Sequence, residues 1–257
     1  MITGVIDIGN TALKAGVFEN NRMMRFLYAP NVEDFNDFFC GPNGASVVEK
    51  MLVASVAGIS DEVRNAVLQI LPDSKIIFWD KPVPALRLPF SICNEYWSAT
   101  GIDRFALAAG AVAQYPKSNV LCISLGTCVT YNFVSKDGVF EPGAISAGLS
   151  ARLRAMHNEA PALPLVRADD YINILPLNDE SIVDTSTSIL HGCVNGLWYE
   201  IRGYIDGYNA RYGGLTVLIT GGDLIYYEKY VSGIYRIFAT PNLVLQGLNE
   251  ILQYNNF

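Results

Sequence analysis

Two short apolar segments open the chain, and a small polar turn separates them. Residues 2–9 and 12–19 have the apolar and β-branched composition of strands, and Gly9-Asn10 leads into the turn between them. Two such segments joined by a Gly-Asn turn predict a β-hairpin. Asn20-Asn21 forms the next turn, and residues 22–28 are predicted to form a third strand.

Helices and strands alternate in the rest of the first half. Ser60 is a typical N-cap, because two acidic residues follow it and favour the positive end of the helix dipole. A helix is predicted to begin near 31–35, followed by a strand at 51–56, a helix after Ser60 and a strand at 75–79. An irregular proline-containing segment at 80–100 then leads to a helix at 105–115. This order indicates an α/β fold with a partly parallel sheet.

The opening pattern returns in the second half. Residues 120–133 contain a strand, a Gly-Thr turn and a second strand, so that Ser124-Leu125-Gly126 echoes Asp7-Ile8-Gly9. Two hairpins of one type, each opening an α/β unit, indicate a duplicated domain. We therefore predict an N-terminal domain at 1–116 and a C-terminal domain at 117–257.

The second half is then predicted to contain two helices, a strand and a final helix. Pro142-Gly143 is interpreted as leading into a helix from about Ile145 to Met156, and residues 157–183 as a loop. A long helix is predicted from Thr185 to about Arg211, with its apolar stripe at Leu197, Ile201 and Ile205. A buried strand at 215–219 ends in Thr220-Gly221-Gly222-Asp223, and the last helix begins near Pro241.

Composition restricts the class of protein. About half of the 257 residues are hydrophobic and the net charge is −7, which is typical of a compact globular chain. No segment is rich in Lys and Arg, so neither nucleic acid nor an anionic membrane is an expected partner. No apolar run approaches the ~18 residues that span a bilayer, and no signal peptide is recognised, so we expect a cytoplasmic protein.

The cysteines and histidines do not form a recognisable metal or disulfide pattern. The five cysteines contain no C-x-x-C pair and mostly have apolar neighbours, which predicts buried free thiols. His157 and His191 are far apart and lack the spacing of metal ligands, so a histidine-based metal site is not expected.

The polar residues at the first turn suggest a phosphate site. Gly9 allows backbone N–H groups to approach an anion, Thr11 adds a hydroxyl and Lys14 adds a positive charge. Asp7 offers a hard oxygen to Mg²⁺, directly or through water. The alternative is a hairpin whose polar tip is merely solvated.

Two further turns have a similar character. Ser124–Thr130 and Thr220–Asp223 also follow apolar strands and combine glycine with hydroxyl or acidic residues. Ligands in α/β folds bind where such turns converge at strand ends. Gly221-Gly222 alone is an ordinary turn, but the three turns together predict a nucleotide site.

Four motifs give the chain its resemblance to a known family. They are Asp7-Ile8-Gly9-Asn10-Thr11, Gly101-Ile102-Asp103-Arg104, Gly126-Thr127 with the downstream Pro142-Gly143-Ala144-Ile145, and Thr220-Gly221-Gly222-Asp223. In this order and spacing the chain resembles the type III pantothenate kinases of the acetate kinase/sugar kinase/heat-shock/actin superfamily. The resemblance implies duplicated actin-like (ribonuclease H-like) domains, each with a mixed five-stranded sheet flanked by helices.

The same resemblance implies roles for individual residues. Asp103 matches the general base, whereas its local sequence alone would also fit a simple helix cap. The residues implied to bind ATP and its phosphates are Asp7, Ile8, Gly9, Asn10, Thr11, Ala12, Leu13, Lys14, Gly126, Thr127, Gly221 and Gly222. Those implied to bind pantothenate are Tyr96, Gly101, Ile102, Asp103, Arg104 and, across a homodimer interface, Thr185.

The chain departs from the family pattern at two places. Ser124 stands where the family usually has an aspartate that helps to bind a monovalent cation, K⁺ or NH₄⁺. Serine is a neutral and weaker ligand, so dependence on that cation stays open. The segment from Tyr96 to Gly101 is also about two residues shorter than usual and lacks its proline, which leaves the role of Tyr96 open.

The implied function is ATP-dependent phosphorylation of pantothenate to 4′-phosphopantothenate, the first step of coenzyme A biosynthesis, with Mg²⁺ bridging the ATP phosphates near Asp7. One alternative is a catalytically weakened, nucleotide-binding regulatory protein of the same fold. Another is a kinase of the same fold that acts on a different small alcohol.

Overall fold

The computed structural model describes residues 1–9, 12–29, 31–80, 86–170, 178–231, 234 and 236–255. Two residues of the first predicted phosphate turn, Asn10 and Thr11, lie outside this set. The chain forms two compact units. Unit 1 contains residues 1–117, 137–142 and 242–257, and unit 2 contains residues 118–136 and 143–241.

Unit 1 contains a mixed five-stranded sheet in the order β3-β2-β1-β4-β5. Its strands are β1 (Ile2–Ile8), β2 (Leu13–Glu19), β3 (Arg22–Ala29), β4 (Lys50–Ser55) and β5 (Ile76–Trp79). The predicted hairpin is confirmed: β1 and β2 are antiparallel, and Asp7 lies opposite Lys14. β1 also pairs in parallel with β4, where Asp7 is next to Ala54.

Helices cover both faces of this sheet. They are α1 (Phe35–Phe39), α2 (Asp61–Ile70), α3 (Asn94–Trp97), α4 (Ile102–Gln114) and, from the end of the chain, α8 (Leu243–Tyr254). Ile6 belongs to the apolar core that α1 and α2 form with the sheet. Thr3 lies on the opposite face and donates a hydrogen bond to Asn249 of α8 at 2.6 Å. Because side chains alternate along a strand, Asp7 shares the face of Thr3, on the side of α8.

Close backbone packing fixes α4 against α8. A Cβ atom at Gly247 would lie 1.7 Å from the carbonyl oxygen of Ala106, so only glycine permits this approach. The start of α4, where Asp103 lies, is thereby held rigidly on this face of the sheet.

Unit 2 repeats the strand order of unit 1. Its strands are β7 (Val120–Leu125), β8 (Cys128–Val134), residues 143–147 of β9 (Val139–Ala147), β10 (Thr216–Thr220) and β11 (Ile237–Ala239), in the order β11-β10-β7-β8-β9. A short strand, β6 (Ser91–Ile92), pairs in parallel with the first residues of β9. The central hairpin and its parallel neighbour therefore occur in both sheets, as the predicted duplication requires.

The helices of unit 2 are α5 (Leu149–Glu159), α6 (Thr185–Tyr212) and α7 (Glu228–Val231). The long helix predicted from Thr185 is confirmed as α6. Asp184 caps it, because its carboxylate accepts the backbone N–H of Thr187 at 2.8 Å. The predicted apolar stripe at Leu197, Ile201 and Ile205 is buried.

The helix predicted from Ile145 to Met156 begins later than expected. Residues up to Ala147 belong to β9, and α5 starts at Leu149 after Gly148. Gly143 does not break the strand. A Cβ atom there would lie 2.7 Å from the carbonyl oxygen of Tyr131, so this glycine allows the strand to lie close to β8.

The first helix begins at Phe35 with Asp34 as its N-cap, within the predicted residues 31–35. The segment at 80–100, which was predicted to be irregular, contains β6 and α3. All five cysteines are free, as predicted, but Cys93 and Cys128 are exposed. Cys93 lies between β6 and α3 and Cys128 directly follows the Gly126-Thr127 turn, so the apolar character of their neighbours does not imply burial.

Candidate active site

Asp7 provides a buried carboxylate at the end of β1. Its side chain is only 8% exposed, and Lys14 stands opposite it on β2. Burial raises the pKa of Asp7 to about 6, while the positive charge of Lys14 lowers it and the negative charge of Asp103 raises it further. The structure thus brings Asp7, Lys14 and Asp103 into electrostatic contact within unit 1.

A backbone hydrogen bond joins Gly9 and Ala12, the described residues on either side of the first phosphate turn. The backbone N–H of Gly9 donates to the carbonyl oxygen of Ala12 at 3.1 Å. Ile8, Gly9, Ala12 and Leu13, all predicted phosphate-loop residues, line a cavity of about 380 Å³ whose opposite wall includes the N-terminus of α2. Four of the predicted loop residues therefore border open space.

Asp103 occupies the second position of α4, directly after Gly101 and Ile102. The backbone N–H of Arg104 donates to the carbonyl oxygen of Gly101 at 3.0 Å. A Cβ atom at Gly101 would lie 2.5 Å from Oδ1 of Asp103, so the glycine leaves room for the carboxylate. Burial raises the pKa of Asp103 above its ordinary value, and the neighbouring backbone N–H groups and the charges of Arg104 and Lys14 oppose that shift.

Two neighbours of Asp103 have contrasting environments. Arg104 is buried, with 7% of its side chain exposed. Tyr96 lies on α3 and is 46% exposed. Within the described residues, no hydrogen bond joins the Tyr96 hydroxyl to Asp103, so the structure brings Arg104 but not Tyr96 to the carboxylate.

The second predicted phosphate turn, Gly126-Thr127, connects β7 and β8. The backbone N–H of Gly126 donates to the carbonyl oxygen of Cys128 at 3.2 Å, and the N–H of Gly148 donates to that of Thr127 at 3.2 Å. Gly221 has a left-handed φ of 104°, and a Cβ atom there would lie 2.0 Å from the carbonyl oxygen of Leu125. Gly221-Gly222 and Gly126-Thr127 are therefore brought together within unit 2.

Ser124 is half-buried on β7 and faces neutral neighbours. It lies opposite Thr130 on β8 and next to Thr220 on β10. These three residues supply hydroxyl oxygens and no carboxylate. The position therefore has less negative charge than the family pattern leads one to expect.

Thr185 is the first residue of α6, and its side chain is exposed. It lies in unit 2, whereas the other predicted pantothenate contacts lie in unit 1.

Gly148 was missed by the sequence analysis, although it packs against both Gly126 and Thr127. A glycine directly before a helix was the available signal, and the misplaced start of α5 concealed it.

The described residues contain no cluster of three or more His, Cys, Asp or Glu side chains that could hold a metal ion by itself. The buried Asp7 carboxylate fits a contact with a divalent metal, because a nearby cation would favour its charged form. None of the helices in the described part of the chain has the length and apolar character needed to cross a bilayer.

Comparisons with known proteins show the fold and the family of the chain. Two solved structures share the fold at 15% identity. A protein from Campylobacter jejuni described as a Baf family transcriptional activator has a TM-score of 0.59, with 98% of each chain covered. A protein from Listeria monocytogenes described as an N-acetylmannosamine kinase has a TM-score of 0.52, with both chains fully covered. The predicted α/β fold is confirmed.

Sequence similarity identifies the family. A type III pantothenate kinase of Christiangramia forsetii is 35% identical over 253 residues, which cover 98% of each chain. The family model for type III pantothenate kinase matches residues 5–207. The chain therefore belongs to the type III pantothenate kinase family.

Proposed function

We propose that this protein transfers the γ-phosphoryl group of ATP to pantothenate and forms 4′-phosphopantothenate, the first step of coenzyme A biosynthesis. Its family membership supports ATP as the phosphoryl donor and a divalent metal as the cofactor. The observation that carries the proposal is the buried arrangement of Asp7, Lys14 and Asp103 in unit 1. Because the reaction draws on ATP and a biosynthetic precursor, a cytoplasmic location is part of the proposal.

Asp103 acts as the general base in this proposal. Its carboxylate accepts the proton of the pantothenate hydroxyl while that oxygen attacks the γ-phosphorus. The new O–P bond forms as the bond from the γ-phosphorus to the bridging oxygen breaks, and ADP leaves with that electron pair. The raised pKa of Asp103 makes it a better proton acceptor.

Asp7 and Lys14 serve the phosphates. Bound Mg²⁺ would neutralise charge on the β- and γ-phosphates, and the Asp7 carboxylate would hold it directly or through water. Lys14 adds a positive charge opposite Asp7. Gly9 and Ala12 provide a compact turn beside them, and Gly126, Thr127, Gly221 and Gly222 are the proposed backbone contacts of ATP in unit 2.

The remaining assignments concern pantothenate. The buried positive charge of Arg104 suits the carboxylate of pantothenate. Gly101 and Ile102 shape the start of α4. Tyr96 and Thr185 are exposed and therefore accessible to substrate. We assign Thr185 to the site of a second copy in a homodimer, and sedimentation of a monomer at enzyme working concentration would contradict that assignment.

The first test is ADP production from Mg-ATP and pantothenate, with and without K⁺ or NH₄⁺. We expect turnover that depends on pantothenate. A requirement for the cation would mean that Ser124 and its hydroxyl neighbours still form an ion site. Turnover independent of the cation would mean that the kinase works without that site.

A second candidate is a nucleotide-binding regulatory protein, which the uncharged surroundings of Ser124 favour. Such a protein would bind ATP without turnover under either cation condition. The Asp103 site argues for the kinase, because a regulator needs no buried base. Turnover with another small alcohol, but not with pantothenate, would contradict the substrate assignment alone.

A further inference from the structure

The second phosphate turn, Gly126-Thr127, rests on the backbone that precedes α5. The backbone N–H of Gly148 donates to the carbonyl oxygen of Thr127 at 3.2 Å. A Cβ atom at Gly148 would lie 1.8 Å from the carbonyl oxygen of Gly126, so the two backbones are in direct contact. A displacement of the segment before α5 would therefore displace the turn.

Arg152 of α5 holds that segment through both its backbone and its side chain. Its backbone N–H donates to the carbonyl oxygen of Gly148 at 3.0 Å. Its side-chain Nε donates to the carbonyl oxygen of Ala147 at 2.8 Å, and its guanidinium also donates to Oγ of Ser146 at 3.0 Å. Three consecutive residues before α5 are thus joined to one arginine.

Glu200 of α6 fixes the guanidinium of Arg152. The two side chains form an ion pair, and each is only 24% exposed, so water and salt screen this pair less than a surface pair. The same carboxylate accepts the hydroxyl of Tyr131 at 2.8 Å and that of Ser146 at 3.2 Å. The pair therefore connects α5 to α6, and Glu200 connects it further to β8 and β9.

We propose that Arg152 and Glu200 are positioning residues for the nucleotide. Glu200 directs the guanidinium of Arg152, and the guanidinium in turn holds the Ala147-Gly148 segment against Gly126-Thr127. Neither side chain contacts the nucleotide in this proposal. The inference rests on the proposed function only in taking Gly126-Thr127 as a nucleotide contact. It gives a role to two residues that the proposed mechanism does not use.

Two competing explanations predict different results. In the first, Arg152 attracts the nucleotide phosphates directly through its positive charge. Removal of Glu200 would then leave nucleotide affinity unchanged or raise it, because it frees that charge. In the second, the pair only stabilises the fold, and folded variants would bind nucleotide normally. Positioning alone predicts that loss of either partner weakens nucleotide binding by the folded protein.

The test compares Arg152→Gln, Glu200→Ala and the double variant in the full-length protein. Circular dichroism gives a temperature at which each variant is folded. Titration calorimetry with Mg-ADP at that temperature gives nucleotide affinity, and steady-state kinetics give separate KM values for ATP and pantothenate.

Arg152→Gln should weaken Mg-ADP binding and raise the KM for ATP by about tenfold, because the segment before α5 loses charge-assisted hydrogen bonds. Glu200→Ala should weaken binding by about threefold, because Arg152 keeps its contacts with Ser146 and Ala147. The double variant should lose no more than Arg152→Gln alone, since the two side chains act in one series of contacts. The KM for pantothenate should not change in any of them.

Arg154→Gln is the matched control. Arg154 carries the same charge on the same helix, and its side chain is exposed. Its removal should leave Mg-ADP affinity unchanged. A loss equal to that of Arg152→Gln would mean that α5 acts through its overall charge and would contradict the positioning role.

The outcomes separate this inference from the proposed function. Unchanged affinity in Arg152→Gln, or unchanged or higher affinity in Glu200→Ala, would overturn the positioning role. If Arg152→Gln does not fold, Arg152→Lys decides, because lysine keeps the charge but lacks the planar fork that reaches several acceptors at once. Unchanged affinity in Arg152→Lys would then overturn the inference. Wild-type protein that binds Mg-ADP but shows no pantothenate-dependent turnover would instead overturn the proposed function.

Discussion

The two hairpins that begin the two sheets share their topology but differ in charge. In unit 1, Asp7 on β1 faces Lys14 on β2. In unit 2, the corresponding positions are Ser124 on β7 and Thr130 on β8. The same backbone arrangement therefore places an acid opposite a lysine in one unit and two hydroxyl groups opposite each other in the other.

This difference indicates a division of labour. Unit 1 contains the buried acid Asp7 and the half-buried acid Asp103, whose pKa values are raised by loss of solvent. In unit 2, the turn at Gly126-Thr127 is held by backbone contacts with Gly148 and Gly221. We infer that unit 1 supplies the charged groups of the reaction, while unit 2 binds mainly through backbone. The following predictions test that comparison.

The largest effect is expected from Asp103→Asn. Loss of the general base should lower kcat by about 10² to 10⁴-fold, because the substrate hydroxyl then has no acceptor for its proton. Steady-state ADP production measures kcat, and calorimetry should show unchanged Mg-ADP affinity. Asp73→Asn, an exposed acid of unit 1, serves as control. Near-normal turnover of Asp103→Asn would refute the assignment of the base.

The next largest difference is expected between variants at Asp7 and Ser124, which occupy equivalent positions in the two hairpins. Asp7→Asn should lower kcat/KM for Mg-ATP by about 10 to 100-fold, because it removes a carboxylate that holds the metal or its water. Ser124→Ala should change the same quantity far less, since no charge is lost. Similar losses in both variants would contradict the division of labour between the units.

Asp7 should also carry a pH-dependent stability effect. A pKa of about 6 in the folded state, against 3.8 for the free group, means that the folded protein binds this proton more tightly. The contribution of protonated Asp7 to the stability of the folded protein is complete below pH 3.8 and is lost as the pH rises through 6. At pH 8, the free energy of unfolding of Asp7→Asn should therefore be about 1–3 kcal/mol larger than that of the wild type, so that the variant is more stable.

Urea unfolding at pH 4 and pH 8 measures this effect. The advantage of Asp7→Asn should be small at pH 4 and full at pH 8. Ser124→Ala should show no such change with pH, because its hydroxyl does not titrate in this range. An Asp7→Asn variant that is less stable than wild type at pH 8 would contradict the electrostatic explanation.

The smallest effect is expected from Ser124→Asp. A carboxylate between Thr130 and Thr220 would add negative charge to an otherwise neutral site. The K⁺ concentration that gives half-maximal turnover should fall on the order of tenfold, because charged oxygen ligands bind cations more tightly. Ser124→Asn controls for side-chain size. An identical K⁺ response in Ser124→Asp and wild type would exclude a cation site at this position.

The local patterns along the chain were largely sufficient to predict its elements. The alternation of apolar residues and the turn chemistry predicted both hairpins, and Ser60 was correctly placed as the cap of α2, where it accepts the Val63 N–H. The start of α5 was not predicted, because Pro142-Gly143 is a common break signal. In the structure this pair lies inside β9, where Gly143 packs against β8.

The sequence by itself determined the repeated hairpins, the presence of a helix next to Asp103 and the family to which the chain belongs, although the helix predicted at 105–115 begins at Ile102. These depend on local residue preferences and on short motifs. Tertiary structure alone decided that α8 returns to unit 1, that Gly148 and Gly221 enclose the second turn, and that Asp7 is buried near Asp103. Such contacts join residues far apart in the chain, and pKa values depend on the burial and charge that only those contacts create.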